Sequence, residues 1–342
     1  MEELLYFFST TQPRRPAVIR QVLLNKRTVS NLFWGLRYGI LDWLATYPQL
    51  QREQFDAVIK TMLVKGWLIE EKQGLRLSLA GLNQSQAFEK KHYRITKPFL
   101  FSRLKTPLWH EVLQLLVQVV SETSYQNKQY YVVNSSMQAR VIIKQWYQKY
   151  YCKNLGQQLG NQLLEFLKQM NSSDADLFMQ LFSGHKVIAK TAEQLAYNST
   201  YTGADIENLG RDLGSQLIDF LAKGTSIFKS LAQALLKQNL LAQSTLETYK
   251  LYQAGIPLAR IGKMRNLKAG TVSEHLLEAA IFIPEFDFKR LLTPQDYVLF
   301  NKIFQGEIDN WRYEKIQQAD PQSSFTKFRL YQIEQSKVEL SR

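Results

Sequence analysis

The sequence has a single cysteine, Cys152, which excludes an internal disulfide. Histidine is nearly as scarce: His92, His110, His185 and His275 stand far apart, and no pair has zinc-ligand spacing. Neither metal catalysis nor a cofactor is expected. No run of 18 apolar residues occurs, the length at which a membrane helix becomes a candidate. The opening eight residues, Met-Glu-Glu-Leu-Leu-Tyr-Phe-Phe, contain an apolar run but lack a basic leader and a small-residue cleavage site. A cytoplasmic location is therefore expected, with nucleoid association left open. No phosphate loop is present, because Lys223-Gly224-Thr225-Ser226 lacks the first glycine at the required distance, so the chain is not expected to be a helicase motor. A Gly-x-Ser-x-Gly elbow, a Cys-x-x-Cys pair and a His-Glu-x-x-His helix are missing too, and the carboxylates do not cluster as an acid/base pair. The expectation is a protein that is not an enzyme and takes no small-molecule substrate.

What is present is a chain of 342 residues, 45% hydrophobic and 21% charged, the composition of a folded protein of two or three domains. Its net charge of +13 suggests an acidic partner, because a Lys or Arg set against a phosphate releases a condensed counterion. Residues 1–110 carry 17 basic against 8 acidic side chains, 111–243 carry 12 against 10, and 244–342 carry 14 against 12. The surplus lies in the first third, and DNA is the expected partner.

From residue 17 to 79 the pattern is three helices followed by two short strands. Pro48 is expected to end the second helix, and residues 50–65 place Phe55, Val58, Ile59, Met62 and Leu63 on one face of the third. Residues 67–71 and 75–79 then flank Lys72-Gln73-Gly74 as a hairpin. Three helices closed by a hairpin outline a winged helix, with Lys72 and Arg76 as candidate DNA contacts; a small α+β domain packed against the rest is the alternative. Residues 89–105 interleave Lys90, Lys91, Arg94, Lys97, Arg103 and Lys105 with His92, Tyr93, Phe99 and Phe101. Such a stretch can track a phosphate backbone and stack bases, or it can be a solvated linker.

Thr106-Pro107 reads as a helix start, which sets domains at 1–104, 105–238 and 239–342. Within the middle one, residues 154–167 recur as 208–221, identical at nine of fourteen positions. Each copy has glycines four apart, Gly156/Gly160 and Gly210/Gly214, at a cost of about 1 kcal/mol per helical glycine. A helix crossing too close for a side chain against a neighbouring backbone would offset it, giving two related units packed on each other. Thr191-Ala-Glu-Gln194 matches a capping box. Trp146, Tyr147, Tyr150 and Tyr151, with Lys144, Lys149 and Lys153, could stack bases, but aromatics at i and i+4 more often bury a helix face.

The strongest signal begins at Ser244-Thr-Leu-Glu247, a capping-box pattern opening a helix through Leu246, Tyr249, Leu251 and Tyr252. A second helix from Pro257 to about Arg265 turns inward Leu258 and Ile261, and after Asn266-Leu267-Lys268 a third from Gly270 turns inward Val272, Leu276 and Ala279. This is a helix-turn-helix pattern. Residues 245–280 resemble the helicase-type helix-turn-helix domain, which occurs at the C-terminus of some RecQ-family helicases and in the stand-alone YpbB family of Gram-positive bacteria. Ser323-Ser-Phe-Thr-Lys-Phe-Arg-Leu-Tyr331 is similar to that domain's closing helix. The resemblance implies a non-enzymatic protein that assists a RecQ-type helicase. It carries over no catalytic residue.

The exposed face of the third helix is expected to show Ser273, Glu274, Leu277 and Glu278. Two carboxylates there would oppose phosphates, and Leu277 between them would suit a protein partner. Lys263, Arg265, Lys268 and Thr271 could reach a DNA backbone, and Ser273 a base edge. The expectation is thus a mainly α, multi-domain DNA-binding accessory of a RecQ-type helicase in repair or recombination. A helix-turn-helix transcriptional regulator and a protein adaptor without DNA contact are the alternatives.

Overall fold

The computed structural model describes residues 2–105 and 108–340 and is mainly helical. Thr106 and Pro107, read above as a helix start, lie outside the described residues. In chain order the helices are α1 (Pro16–Leu23), α2 (Val29–Arg37), α3 (Arg52–Val64), α4 (Leu79–Glu89), α5 (Phe99–Arg103) and α6 (Leu108–Ser124). Then come α7 (Met137–Tyr150), α8 (Leu155–Leu167), α9 (Ser172–Met179), α10 (Ala192–Ala196), α11 (Gly203–Lys223) and α12 (Lys229–Leu235). The last six are α13 (Gln243–Gln253), α14 (Leu258–Arg265), α15 (Ala269–Phe282), α16 (Pro294–Ile303), α17 (Glu314–Ala319) and α18 (Phe325–Leu340). The two strands, β1 (Leu68–Glu71) and β2 (Gly74–Leu77), pair antiparallel with Glu71 opposite Gly74, so the hairpin turn is Lys72-Gln73.

Two compact units result, and neither is one continuous stretch. The first comprises Met1–Pro13 and Asp56–Gln238, the second Arg14–Phe55 and Asn239–Arg342. The division falls inside α3, so α1 and α2 fold in one unit and the hairpin in the other, and the winged-helix outline forms no unit of its own. Helix α2 also ends at Arg37, well before Pro48, because Gly39 takes a left-handed conformation (φ +65°) and a short 3₁₀ turn (Leu41–Trp43) follows.

In the first unit the opening residues form a 3₁₀ turn, Glu2–Phe7, whose apolar run buries Leu4, Leu5 and Phe7 beside α4, with Gln84 donating to Glu2 (2.6 Å). Residues 103–105 pair with 235–237 through an antiparallel bridge, Leu104 opposite Leu236. Between them α6, α8 and α11 pack together, and Trp146 of α7 is buried, stacked on Phe228 at 5.4 Å with its indole N–H on Ile227 O (3.3 Å). Trp146 therefore packs in the core, as its spacing suggested. Thr191 caps α10 through the expected box with Gln194.

The repeat copies become α8 and the middle of α11, in contact through Phe166 and Phe220 at 5.7 Å. Three of their four glycines face side chains rather than a neighbouring backbone. A Cβ at Gly156 would lie 1.9 Å from Ser124 Oγ, at Gly214 2.9 Å from the Trp109 ring, and at Gly210 2.7 Å from Leu181 Cδ1. Ser124 and Trp109 both belong to α6, so α6 is the common surface against which the copies settle. Gly160 faces open space.

Helix α11 also carries two buried carboxylates seven residues apart, hence on one face. Asp205 closes a capping box with Thr202 while accepting from Tyr93 N (3.1 Å), with His92 Nδ1 2.9 Å away. Burial opposes its ionisation, but the hydrogen bonds from Thr202 and His92 prevail and hold its pKa below the usual value. Asp212, fully buried, accepts from Tyr93 Oη (2.9 Å), Thr96 N (2.7 Å), Thr96 Oγ1 (2.8 Å) and Lys97 N (3.3 Å). Residues 92–97 are thereby clamped to α11.

The second unit is built around α15, which touches α13, α14, α2 and α18. Its Glu278, 6% exposed, accepts from Arg27 Nε (3.0 Å) and Nη2 (2.7 Å), Ala242 N (3.2 Å) and Thr245 Oγ1 (2.7 Å). Arg27 also donates to Leu240 O (2.8 Å) and lies 4.6 Å over the Phe282 ring. A second arginine of this early segment, Arg37 of α2, pairs with Asp309 and Glu339, both at 2.6 Å. Arg329 of α18 stacks over Phe33 of α2 at 3.9 Å, and burial lowers its pKa to about 10.

Two outcomes are expected. Arg27→Met should destabilise the second unit by about 3 kcal/mol, because it strands a buried carboxylate, and Arg27→Met with Glu278→Met should recover much of the loss; denaturant titration of the single and double variants reads this. Gly160→Ala should stabilise the first unit by up to about 1 kcal/mol, and Gly214→Ala, which pushes on Trp109, should destabilise it; thermal melts of the two variants separate them.

Candidate nucleic-acid interface

Helices α13, α14 and α15 form the trihelical module that the apolar spacing called for. Tyr249 and Tyr252 of α13, Ile261 of α14, and Val272, Leu276 and Ala279 of α15 are buried together. Asn266, in the left-handed region (φ 51°), ends α14, and its residue type tolerates that conformation. The chain then turns through Leu267 to Lys268, the N-cap of α15.

The start of α13 differs from the expected capping box. The helix begins at Gln243 after Ala242, without a side-chain cap. Arg265 has taken both box residues: Nη2 donates to Ser244 Oγ (3.1 Å) and Glu247 Oε2 (2.7 Å), while Nη1 donates to Ser244 O and Thr248 Oγ1. Thr248 Oγ1 is in turn 2.8 Å from His275 Nδ1. Burial lowers the pKa of His275, assisted by Arg265 and opposed by Glu278 and Glu274. Arg265 thus ties the first two helices together and is spent within the module.

The face of α15 also differs from expectation. Leu277 and Glu278 are buried, at 3% and 6% exposure, because α2 and α18 cover that side of the helix. Leu277 offers no docking surface, and Glu278 is neutralised by Arg27. Of the two carboxylates expected to repel phosphates, only Glu274 stays exposed. Lys263 and Lys268 are exposed, and Thr271 and Ser273 are half-buried. The spacing also puts Arg260, exposed and one turn before Lys263, on the same face of α14, a cation that was not among those expected from the sequence.

The remaining candidates belong to the other unit. Lys72 is exposed at the hairpin turn, while Arg76 pairs with Glu71 and donates to Thr10 O (3.3 Å). Lys90, Lys91 and Lys97 are exposed; Arg94 pairs with Glu89 and lies 5.0 Å over Tyr6, and Arg103 lies 5.6 Å over Phe99. Of the aromatics between them, Phe99 is half-buried beneath Arg103 and the others face inward. His92 stacks on Phe88 at 3.9 Å, Tyr93 binds Asp212 and Phe101 is buried, so residues 89–105 show cations without open rings for bases. Lys223-Gly224-Thr225-Ser226 spans the C-terminus of α11, the end of a helix opposite to the one a phosphate loop uses.

A family model described as a helix-turn-helix domain matches residues 244–332. The C-terminal segment is a helix-turn-helix domain. The chain also resembles Protein YpbB of Bacillus subtilis (strain 168), with 27% identity over 205 residues. That alignment covers 55% of this chain and 54% of the relative, so the chain spans about half the length of the curated protein it matches. No solved structure matches. Among the described residues, no helix is long and apolar enough to cross a membrane.

The helix-turn-helix domain separates exposed from engaged cations, and duplex binding should follow. Lys263→Ala and Lys268→Ala should each weaken binding evenly across sequences and reduce the salt slope by about 1. Arg265→Ala should instead lower the melting temperature, by loosening α13 from α14. Equal losses of affinity for all three, with unchanged melting, would contradict this division; anisotropy titrations and thermal melts measure it.

Proposed function

We propose that this chain works by binding rather than catalysis: its helix-turn-helix domain holds duplex DNA while the protein assists a RecQ-type helicase in repair or recombination, in the cytoplasm. The observation that carries the DNA half is the pairing of Glu278 with Arg27. It takes one carboxylate off the outer side of α15 and leaves Glu274 as the exposed carboxylate of that helix, with Lys268 exposed at its N-cap and Arg260 and Lys263 exposed on α14. Exposed backbone N–H groups at a helix start add to the attraction for a phosphate. The helicase half rests on the resemblance of residues 245–280 to the helicase-type domain, and the non-enzymatic half on the lack of catalytic motifs in the sequence.

Both units are net basic. Arg14–Phe55 brings seven basic and two acidic side chains to it, giving the unit 21 against 14 in all, whereas the first unit has 22 against 16. The basic excess of the first third is therefore shared between the units. Leu277, whose exposure would have favoured a protein partner at this module, is buried. The regulator alternative keeps Ser273 as its reader of a base edge.

Duplex affinity should fall by several decades over a few-fold rise in salt if about six phosphates are contacted, and affinity indifferent to salt would refute the electrostatic contact. Unwinding by the RecQ-type helicase of the same cell should change when the chain is added. No change, together with a preference of about a thousandfold for one sequence over random duplex, would favour the regulator.

A further inference from the structure

From Glu122 to Glu165 the chain passes through 42 residues without a carboxylate side chain, and Lys128, Arg140, Lys144, Lys149 and Lys153 lie among them, all exposed. The same span holds the most exposed large hydrophobic side chain of the described residues, Tyr131, at 99%, together with exposed Tyr125 and Tyr151. An open aromatic ring on a soluble surface lacks the burial that normally stabilises it.

The backbone under Tyr131 is held in place. Gln118 of α6, itself buried, donates from Nε2 to Tyr131 O (2.9 Å) and accepts from Val133 N at Oε1 (2.9 Å), gripping the chain on both sides of Val132 as a neighbouring strand would. Ser136, the cap of α7, donates from its N–H to Glu111 (2.8 Å). Glu122 accepts from Asn127 (2.7 Å) and stands 2.8 Å from His185 Nδ1, so the nearby carboxylates are occupied by protein donors. Helix α7 buries Ala139, Ile143 and Trp146, leaving Met137, Arg140, Val141 and Lys144 at steps of three and four on the outer face.

We propose that the loop carrying Tyr131 and the outer face of α7 bind single-stranded nucleic acid, with a base on the Tyr131 ring and phosphates on Arg140 and Lys144. A ring held out from a pinned backbone needs a flat partner, and a single strand supplies one that a paired duplex keeps stacked inside. Five cations without a carboxylate in sequence attract the polyanion. This is the arrangement that residues 89–105 lack, since their aromatics face inward or, at Phe99, lie beneath Arg103. The surface lies in the first unit and does not depend on the helix-turn-helix reading, so either can fail alone.

The test titrates the full chain into fluorescein-labelled oligothymidylate of roughly a dozen nucleotides, within the usual range of single-strand site sizes, at several salt concentrations. Tyr131→Ala, which removes a side chain that is almost wholly in solvent, should weaken binding roughly tenfold and leave the salt slope unchanged. Arg140→Gln with Lys144→Gln should reduce the slope by about 1.4, at about 0.7 for each phosphate no longer neutralised. Lys302→Ala, at an exposed lysine of α16 with no part in either surface, should leave single-strand binding as it was. Failure of the unaltered chain to bind at low salt, Tyr131→Ala binding as tightly as it does, or equal displacement of the probe by oligoglutamate of the same charge would each overturn the proposal.

Discussion

Glu278 sits on the third helix of the helix-turn-helix domain, and much of the second unit depends on how its charge is met. A carboxylate taken out of water is costly unless donors surround it. Here Arg27, Ala242 and Thr245 supply them, drawing the segment before α2, the segment before α13 and α13 itself onto one side of α15. Arg37 with Asp309 and Glu339, and Arg329 over Phe33, repeat the pattern between α2 and the later helices. Two arginines of an early segment are thus matched to carboxylates some 250 to 300 positions later in the chain.

That arrangement decides which side chains face solvent around the third helix. With Leu277 and Glu278 covered and Arg265 tied to Ser244, Glu247 and Thr248, the outer surface narrows to Arg260, Lys263, Lys268, Thr271, Ser273 and Glu274. The stabilising role of one cation and the exposed role of another two or three residues away cannot be told apart by residue type. Partners tell them apart.

The first unit shows the same sorting in reverse. Residues 89–105 have the composition of a base-stacking platform, but Asp205 and Asp212 on one face of α11 collect the donors of residues 92–97 and turn their rings inward. In the carboxylate-free span before Glu165, by contrast, Trp146 is buried while Tyr131 stands out, because Gln118 fixes the backbone on either side of it.

Local pattern was enough for the helices of the C-terminal domain, the hairpin, the capping box at Thr191 and the resemblance to a helicase-type domain, since each is specified by residues within a turn or two of one another. The periodic burial of Val272, Leu276 and Ala279 follows directly from spacing. Spacing could not show that Arg14–Phe55 joins Asn239–Arg342, that Ser244 and Glu247 serve Arg265 instead of a helix cap, or that three of the four repeat glycines make room for Ser124, Trp109 and Leu181. Those outcomes depend on which distant segment arrives to cover a given face. Periodicity says that a face is apolar or charged, and only the folded chain decides whether water or another helix lies against it.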